Sequence, residues 1–282
     1  MKRQSGGWIS GGFRLVTSSV LALLLVMHCL SLDAVAVLLS YQLCLKIWAD
    51  VELPGLAYLL LGMGIWLGYT ADRLKDVSPK RQSLASTLRH HFHRQHRKPL
   101  QATWVLVLLL SVVLGWLSLP TNTLLTGLAF AGGAAFYVFG VSRRKRTSRD
   151  GPRLFKRFGV SLLLAASGLW WWFGWGNGDW PDLRMLTLLG LFAVFASWEL
   201  ILLEGRRIRI GSFAAFWIRW GAPLVIAAIG WPLGIDAYAS LLFGVFGFSL
   251  VTQLTVTWPN ELRSLIGDCL ILFQFLILAW IA

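Results

Sequence analysis

Long apolar runs recur from end to end of the chain, at about 15–30, 33–48, 54–71, 102–119, 122–141, 157–175, 183–204, 213–230, 237–255 and 265–281, with polar breaks between them. Most approach the twenty or so apolar residues that a helix needs to cross a hydrocarbon core. The first two runs belong to one stretch, Leu15 to Ala49, divided at Ser31-Leu-Asp33. As a single helix it would extend about 50 Å at 1.5 Å per residue, against a core of roughly 30 Å. A break there is required. The pattern predicts an all-α polytopic membrane protein, because a helix satisfies its own backbone where no water can. The nine runs from 33–48 onward form one bundle over 33–282, since no long polar linker divides them. Residues 1–32 hold a basic lead and an extra apolar helix. That helix has the basic start and Leu-rich centre of a signal peptide, but no small-residue cleavage site follows, so it is read as retained.

Composition agrees with this reading. The chain is 56% hydrophobic and 14% charged, with a mean hydropathy of +0.65. Its net charge of +13 would suggest nucleic acid in a soluble protein. Here the cations border the apolar runs, so the expected partners are anionic membrane lipids, with no nucleic acid. With 33–48 counted as the first crossing, all of the 26 Lys and Arg except Lys46 and Arg184 fall on one side. The positive-inside rule makes that side cytoplasmic and predicts a bacterial-type cytoplasmic (inner) membrane protein. This parity needs 15–48 to cross an odd number of times, so 15–30 lies in the interface or re-enters. The opposite face has short connections, and the Trp-rich stretch Trp170 to Trp180 reads as an aromatic belt, with a Trp-lined pocket as the alternative. Cys29, Cys44 and Cys269 lie inside apolar runs and fit no metal spacing, so they are packing residues.

Candidate chemistry gathers on the basic side. The 54–71 run ends in Asp72, Arg73 and Asp76. Carboxylates four apart share a helix face and repel unless a cation sits between them. They are either half of a hard-metal site or the charge that ends a membrane helix. Lys80 to Lys98 is the only long polar connection, and Leu84, Leu88 and Phe92 recur every four residues as on an amphipathic helix. It carries His90, His91, His93 and His96. A di-iron oxygenase is excluded, because His28 is the only other histidine. A single zinc is one reading. The other joins these histidines to Arg89, Arg94, Arg97 and Lys98 in a basic strip facing phosphate. A second connection carries Arg143 to Arg146 with Tyr137 before it, which reads as topology control or a diphosphate clamp. In the third, Glu199 is deep enough in its run to need a partner or a function, and Glu204 pairs with Arg206 or Arg207 or holds a ligand.

Together these features resemble the UbiA superfamily of intramembrane prenyltransferases. Its members have nine transmembrane helices around a lipid-open central cavity, with acid-rich motifs at the cytoplasmic ends of the second and sixth. Gly68-Tyr69-Thr-Ala-Asp72-Arg73-Leu-Lys-Asp76 is similar to the first motif, with Gly68 and Tyr69 replacing its Asn and first Asp. Tyr137 with Arg144-Lys145 is similar to the end of the family's fourth helix. Leu202-Leu-Glu204-Gly205-Arg206 retains one acid of the second motif.

The resemblance implies Mg²⁺-dependent transfer of a prenyl group from a prenyl diphosphate to a lipophilic acceptor. Asp72, Asp76 and Glu204 would be the metal ligands, and Asp72, Asp76 and Arg73 the catalytic group. Tyr69, Tyr137, Arg144, Lys145, Glu199 and Arg206 would bind substrate. Magnesium keeps several waters and needs few carboxylates, so Asp72 and Asp76 suffice for one ion. The thinned second motif favours the rival, a non-catalytic lipid- or isoprenoid-binding protein or assembly factor. A transporter finds no support, since no pair of interrupted helices occurs in matching halves.

Overall fold

The computed structural model describes residues 19–50, 52–77, 88–139 and 260–281, together with 167, 170, 187 and 190. Among these every regular element is a helix. They are α1 (Ser19–Cys29), α2 (Leu32–Ala49), α3 (Gly55–Asp76), α4 (Leu88–Gln95), α5 (Arg97–Ser118), α6 (Thr121–Phe139) and α7 (Asn260–Ile281). The expected runs between 141 and 255, apart from those isolated residues, lie outside the described residues.

The break expected at 31–33 is a sharp one. Ser31 takes a left-handed backbone, φ 59° and ψ 25°, which stops the helical hydrogen-bond ladder. For a non-glycine residue that conformation costs about 1–2 kcal/mol. Ser31 N–H still reaches the His28 carbonyl at 3.2 Å, closing the last turn of α1 tightly. Beyond it α2 starts again with Asp33 in its first turn, where Oδ1 accepts the Ala34 N–H at 2.9 Å. The two apolar lengths meet at 84°.

Hydrophobic packing then fixes α2. Leu38, Tyr41, Cys44 and Leu45 recur at helical spacing and are fully buried. They face α7, which runs along α2 and buries Ile271, Phe275 and Leu278. The Tyr41 and Phe275 rings meet with centroids 5.4 Å apart, and Trp48 donates its indole N–H to the Leu278 carbonyl at 3.1 Å.

α3 packs between α2 and α5. Two more indoles tie it in place. Trp66 on α3 donates to the Leu30 carbonyl at 3.0 Å, and Trp104 on α5 donates to the Leu67 carbonyl at 2.9 Å. Trp170 donates in the same manner to the Thr123 carbonyl on α6, at 2.9 Å.

α5 is the one described helix that is long and apolar enough by itself to cross a bilayer; the bent α1–α2 pair passes the same test when joined. Its outward residues are apolar: Leu106, Leu109, Trp116 and Leu117 are all well exposed. α5 begins at Arg97 rather than at 102, because Pro99 sits in its first turn, where a missing N–H costs nothing.

Candidate functional site

Polar side chains converge where the α1–α2 elbow, the end of α3, α4 and α7 come together. α4 packs on α1, α3 and α5, and α7 touches α1 as well as α2. Three groups of residues meet there.

The first is a buried ion cluster. His28, next to last in α1, bonds through Nδ1 to Asp33 Oδ2 across the elbow. Both are closed off from solvent, His28 at 1% and Asp33 at 7% exposure. Arg89 of α4 enters from outside. Its Nη2 donates to Asp33 Oδ2 at 3.2 Å and lies 2.6 and 2.8 Å from the two ring nitrogens of His28. Asp268 of α7 completes the cluster, its Oδ2 3.9 Å from His28 Nδ1 and its carboxyl hydrogen-bonded to Asp33. Ligand atoms of His28, Asp33 and Asp268 lie within 4.8 Å of one another, close enough to share a metal ion. The guanidinium of Arg89 already stands against two of the three. A metal would have to displace it, so this set reads as an internal ion pair joining three helices and the elbow.

The second group is the end of α3. Asp72, Arg73 and Asp76 are all half-buried, as is Tyr69 one turn earlier. Arg73 feels the charges of Arg89, Asp72 and Asp76 together, which places the motif beside the ion cluster. Asp76 Oδ2 is 3.9 Å from His90 Nε2 on α4. Asp72 and Asp76 are hard oxygen donors one turn apart at a partly open helix end, and that donor set fits a magnesium ion completed by water and phosphate.

The third group is the inner face of α4. The basic strip expected over 89–98 divides in two. Arg94 and Lys98 are exposed, while Arg89 is half-buried and His93 is 1% exposed. His93 Nδ1–H donates to the carbonyl of Arg89 at 2.9 Å, fixing the ring. Burial pushes its imidazole below the ordinary histidine value. The bond to Arg89 opposes that shift, and the charges of Arg73, Arg89 and His90 add to it.

Several donors in this region are buried and find no partner among the described residues: Arg73 Nε, Arg89 Nε, Arg97 Nε and Thr70 Oγ1, together with the bare nitrogen His93 Nε2. A buried polar atom left unpaired costs about 1–3 kcal/mol, and more when charged. Such a concentration at one helix junction is unusual for a region that only packs.

The structure therefore brings Tyr69, Asp72, Arg73 and Asp76 to one place and adds residues that the sequence did not single out. His28, Asp33 and Asp268 are the main omissions. Each stands in an apolar run, where an ionisable group normally has a partner, and that was the available signal. Tyr137 belongs to α6, but its side chain is not among those described. Arg144, Lys145, Glu199, Glu204 and Arg206 lie outside the described residues. In comparisons with known proteins, no family model, no curated protein and no solved structure matches the chain.

Proposed function

We propose that the chain is an integral membrane prenyltransferase of the UbiA type, a nine-span bundle that takes a prenyl diphosphate by its head group at the end of α3. The observation that carries this reading is the position of Arg73. It lies between Asp72 and Asp76 in sequence and meets Arg89 across the α3–α4 junction, so acids for a metal and cations for a phosphate stand together. They do so at the end of an otherwise apolar helix. The outward apolar face of α5 suits lipid contact, and it supports the membrane setting.

In the reaction the C1–O bond of the prenyl diphosphate breaks, and its electron pair leaves with the diphosphate. Asp72 and Asp76 would hold Mg²⁺, whose charge stabilises that leaving group. Arg73 faces the developing negative charge directly, and its planar fork matches phosphate oxygens. The acceptor bonds to C1 of the resulting allylic cation and sheds a proton. The test is Mg²⁺-dependent binding and turnover of prenyl diphosphates by wild type and Asp72→Asn. Loss of both in the variant supports the reading, whereas equal affinity removes the metal site.

A second reading is a non-catalytic lipid- or isoprenoid-binding relative. The approach of His90 to Asp76 favours it, because a paired carboxylate is a poorer metal ligand. Binding of a prenyl diphosphate with no turnover over a range of acceptors would select it.

A further inference from the structure

We infer that Arg73, Arg89 and His93 form a seat for a phosphate group, closed by α4 against the end of α3. The inference rests on the proposed function only for the end of α3 at which a head group lies. It requires neither a metal nor catalysis.

Three observations lead to it. Arg73 and Arg89 face one another's charge, and two guanidinium groups held together repel unless an anion lies near both. The neighbouring acids do not fill that role completely. Asp33 and Asp268 are engaged with His28 and with the Nη2 of Arg89, while Nε of Arg89 and Nε of Arg73 remain buried without an acceptor among the described residues. His93 is the third part. It is 1% exposed, its Nδ1 is committed to the Arg89 carbonyl, and its Nε2 has no partner. Both arginines act on it electrostatically, so its ring shares their surroundings.

This chemistry selects an anion. A metal cation would meet two fixed positive charges, and a neutral ligand would leave them uncompensated. A tetrahedral phosphate presents several oxygens to separate N–H groups, and guanidinium forks bind two at a time. His93 can add an N–H at Nε2 by taking up a proton once the anion offsets the arginines. The ligand is a phosphate monoester or diphosphate, whether a small soluble anion or the head group of a lipid.

The experiment uses the full chain, purified in detergent and kept in EDTA. One arm titrates it calorimetrically with inorganic phosphate and with pyrophosphate. The other places it in nanodiscs of phosphatidylcholine, with or without fluorescent phosphatidic acid. Wild type is expected to bind in at least one arm. Arg89→Lys keeps a charge beside Asp33 but loses the fork. His93→Gln keeps an amide donor for the Arg89 carbonyl but loses the chargeable nitrogen. Each is expected to weaken binding at least tenfold while retaining a cooperative melting transition. Binding to pyrophosphate alone assigns the seat to soluble phosphates, and binding to phosphatidic acid alone assigns it to lipid. No binding in either arm overturns the inference, as does wild-type affinity in both variants.

The outcome is separable from that of the proposed function. Should prenyl transfer never be found while EDTA-insensitive anion binding depends on Arg89 and His93, the seat stands and the transferase reading falls. Should transfer occur with an unchanged KM for prenyl diphosphate in His93→Gln and Arg89→Lys, the transferase reading stands and the seat falls.

Discussion

Trp66 of α3 donates its indole N–H to the carbonyl oxygen of Leu30, 3.0 Å away. Leu30 is in the elbow between α1 and α2, where Ser31 has left the helical path. The bond joins the helix that carries Asp72, Arg73 and Asp76 to the turn that brings His28 onto Asp33. Replacing Trp66 by Phe keeps most of the apolar surface and removes the donor. The expected loss is about 1–3 kcal/mol, the cost of an unpaired buried acceptor, read as a lower melting temperature in detergent.

The Arg89–Asp33 contact should show the asymmetry of buried ion pairs. Removing one partner leaves the other charge buried alone, so Arg89→Gln and Asp33→Asn are each expected to cost about 3–5 kcal/mol. The double variant should cost clearly less than the sum of the two, since the sites interact directly. A thermal or denaturant double-mutant cycle checks this, and strict additivity would show that the contact at 3.2 Å contributes nothing.

His93 makes stability depend on pH in a defined direction. Its folded pKa lies below the ordinary 6.5 through burial first of all. Between the two values the unfolded chain binds more protons than the folded one, so stability rises with pH. The contribution is fully present above the unfolded value and is lost as pH falls towards the folded one. His93→Gln should flatten the fall in melting temperature that wild type shows on acidification below about pH 6.5. Parallel curves for the two proteins would contradict the burial of this ring.

Gly127 on α6 is required for a close approach. A Cβ there would lie 2.7 Å from Nε1 of Trp170, whose indole N–H already bonds the Thr123 carbonyl. Gly127→Ala must therefore shift the indole or break that bond. A loss of about 1–3 kcal/mol is expected, as for other overpacked sites. Trp170→Phe in the same background should recover part of it, measured by the same melting transitions.

The local parts of this arrangement were legible in the sequence, and the convergent parts were not. Ser31-Leu-Asp33 interrupts an apolar stretch too long for one crossing, and the structure puts the elbow at Ser31. Leu88 and Phe92 announce an amphipathic turn, which is α4. Hydropathy sees only the apolar portion of a helix, however, so it ended the third helix at 71 and started the fifth at 102. The polar ends at Asp76 and Arg97 follow from continued backbone bonding.

The ion cluster was hidden for a different reason. Arg89 is 61 residues from His28 and Asp268 is far further along the chain. Periodicity assigns each to a face of its own helix and says nothing about which faces meet. His93 shows the same limit: it looked like one of four similar histidines, and only packing distinguishes it from exposed His91.

The elbow at Ser31 also governs counting. Two lengths set nearly at right angles cannot both stand upright in one lipid sheet, so together they traverse it once. Whatever follows emerges on the side dictated by that single traverse, and a straightened joint would turn every later strut of the bundle the other way up. Accessibility labels on Ser19 and on Lys75 should therefore report the same compartment, an arrangement that one residue's backbone angle enforces.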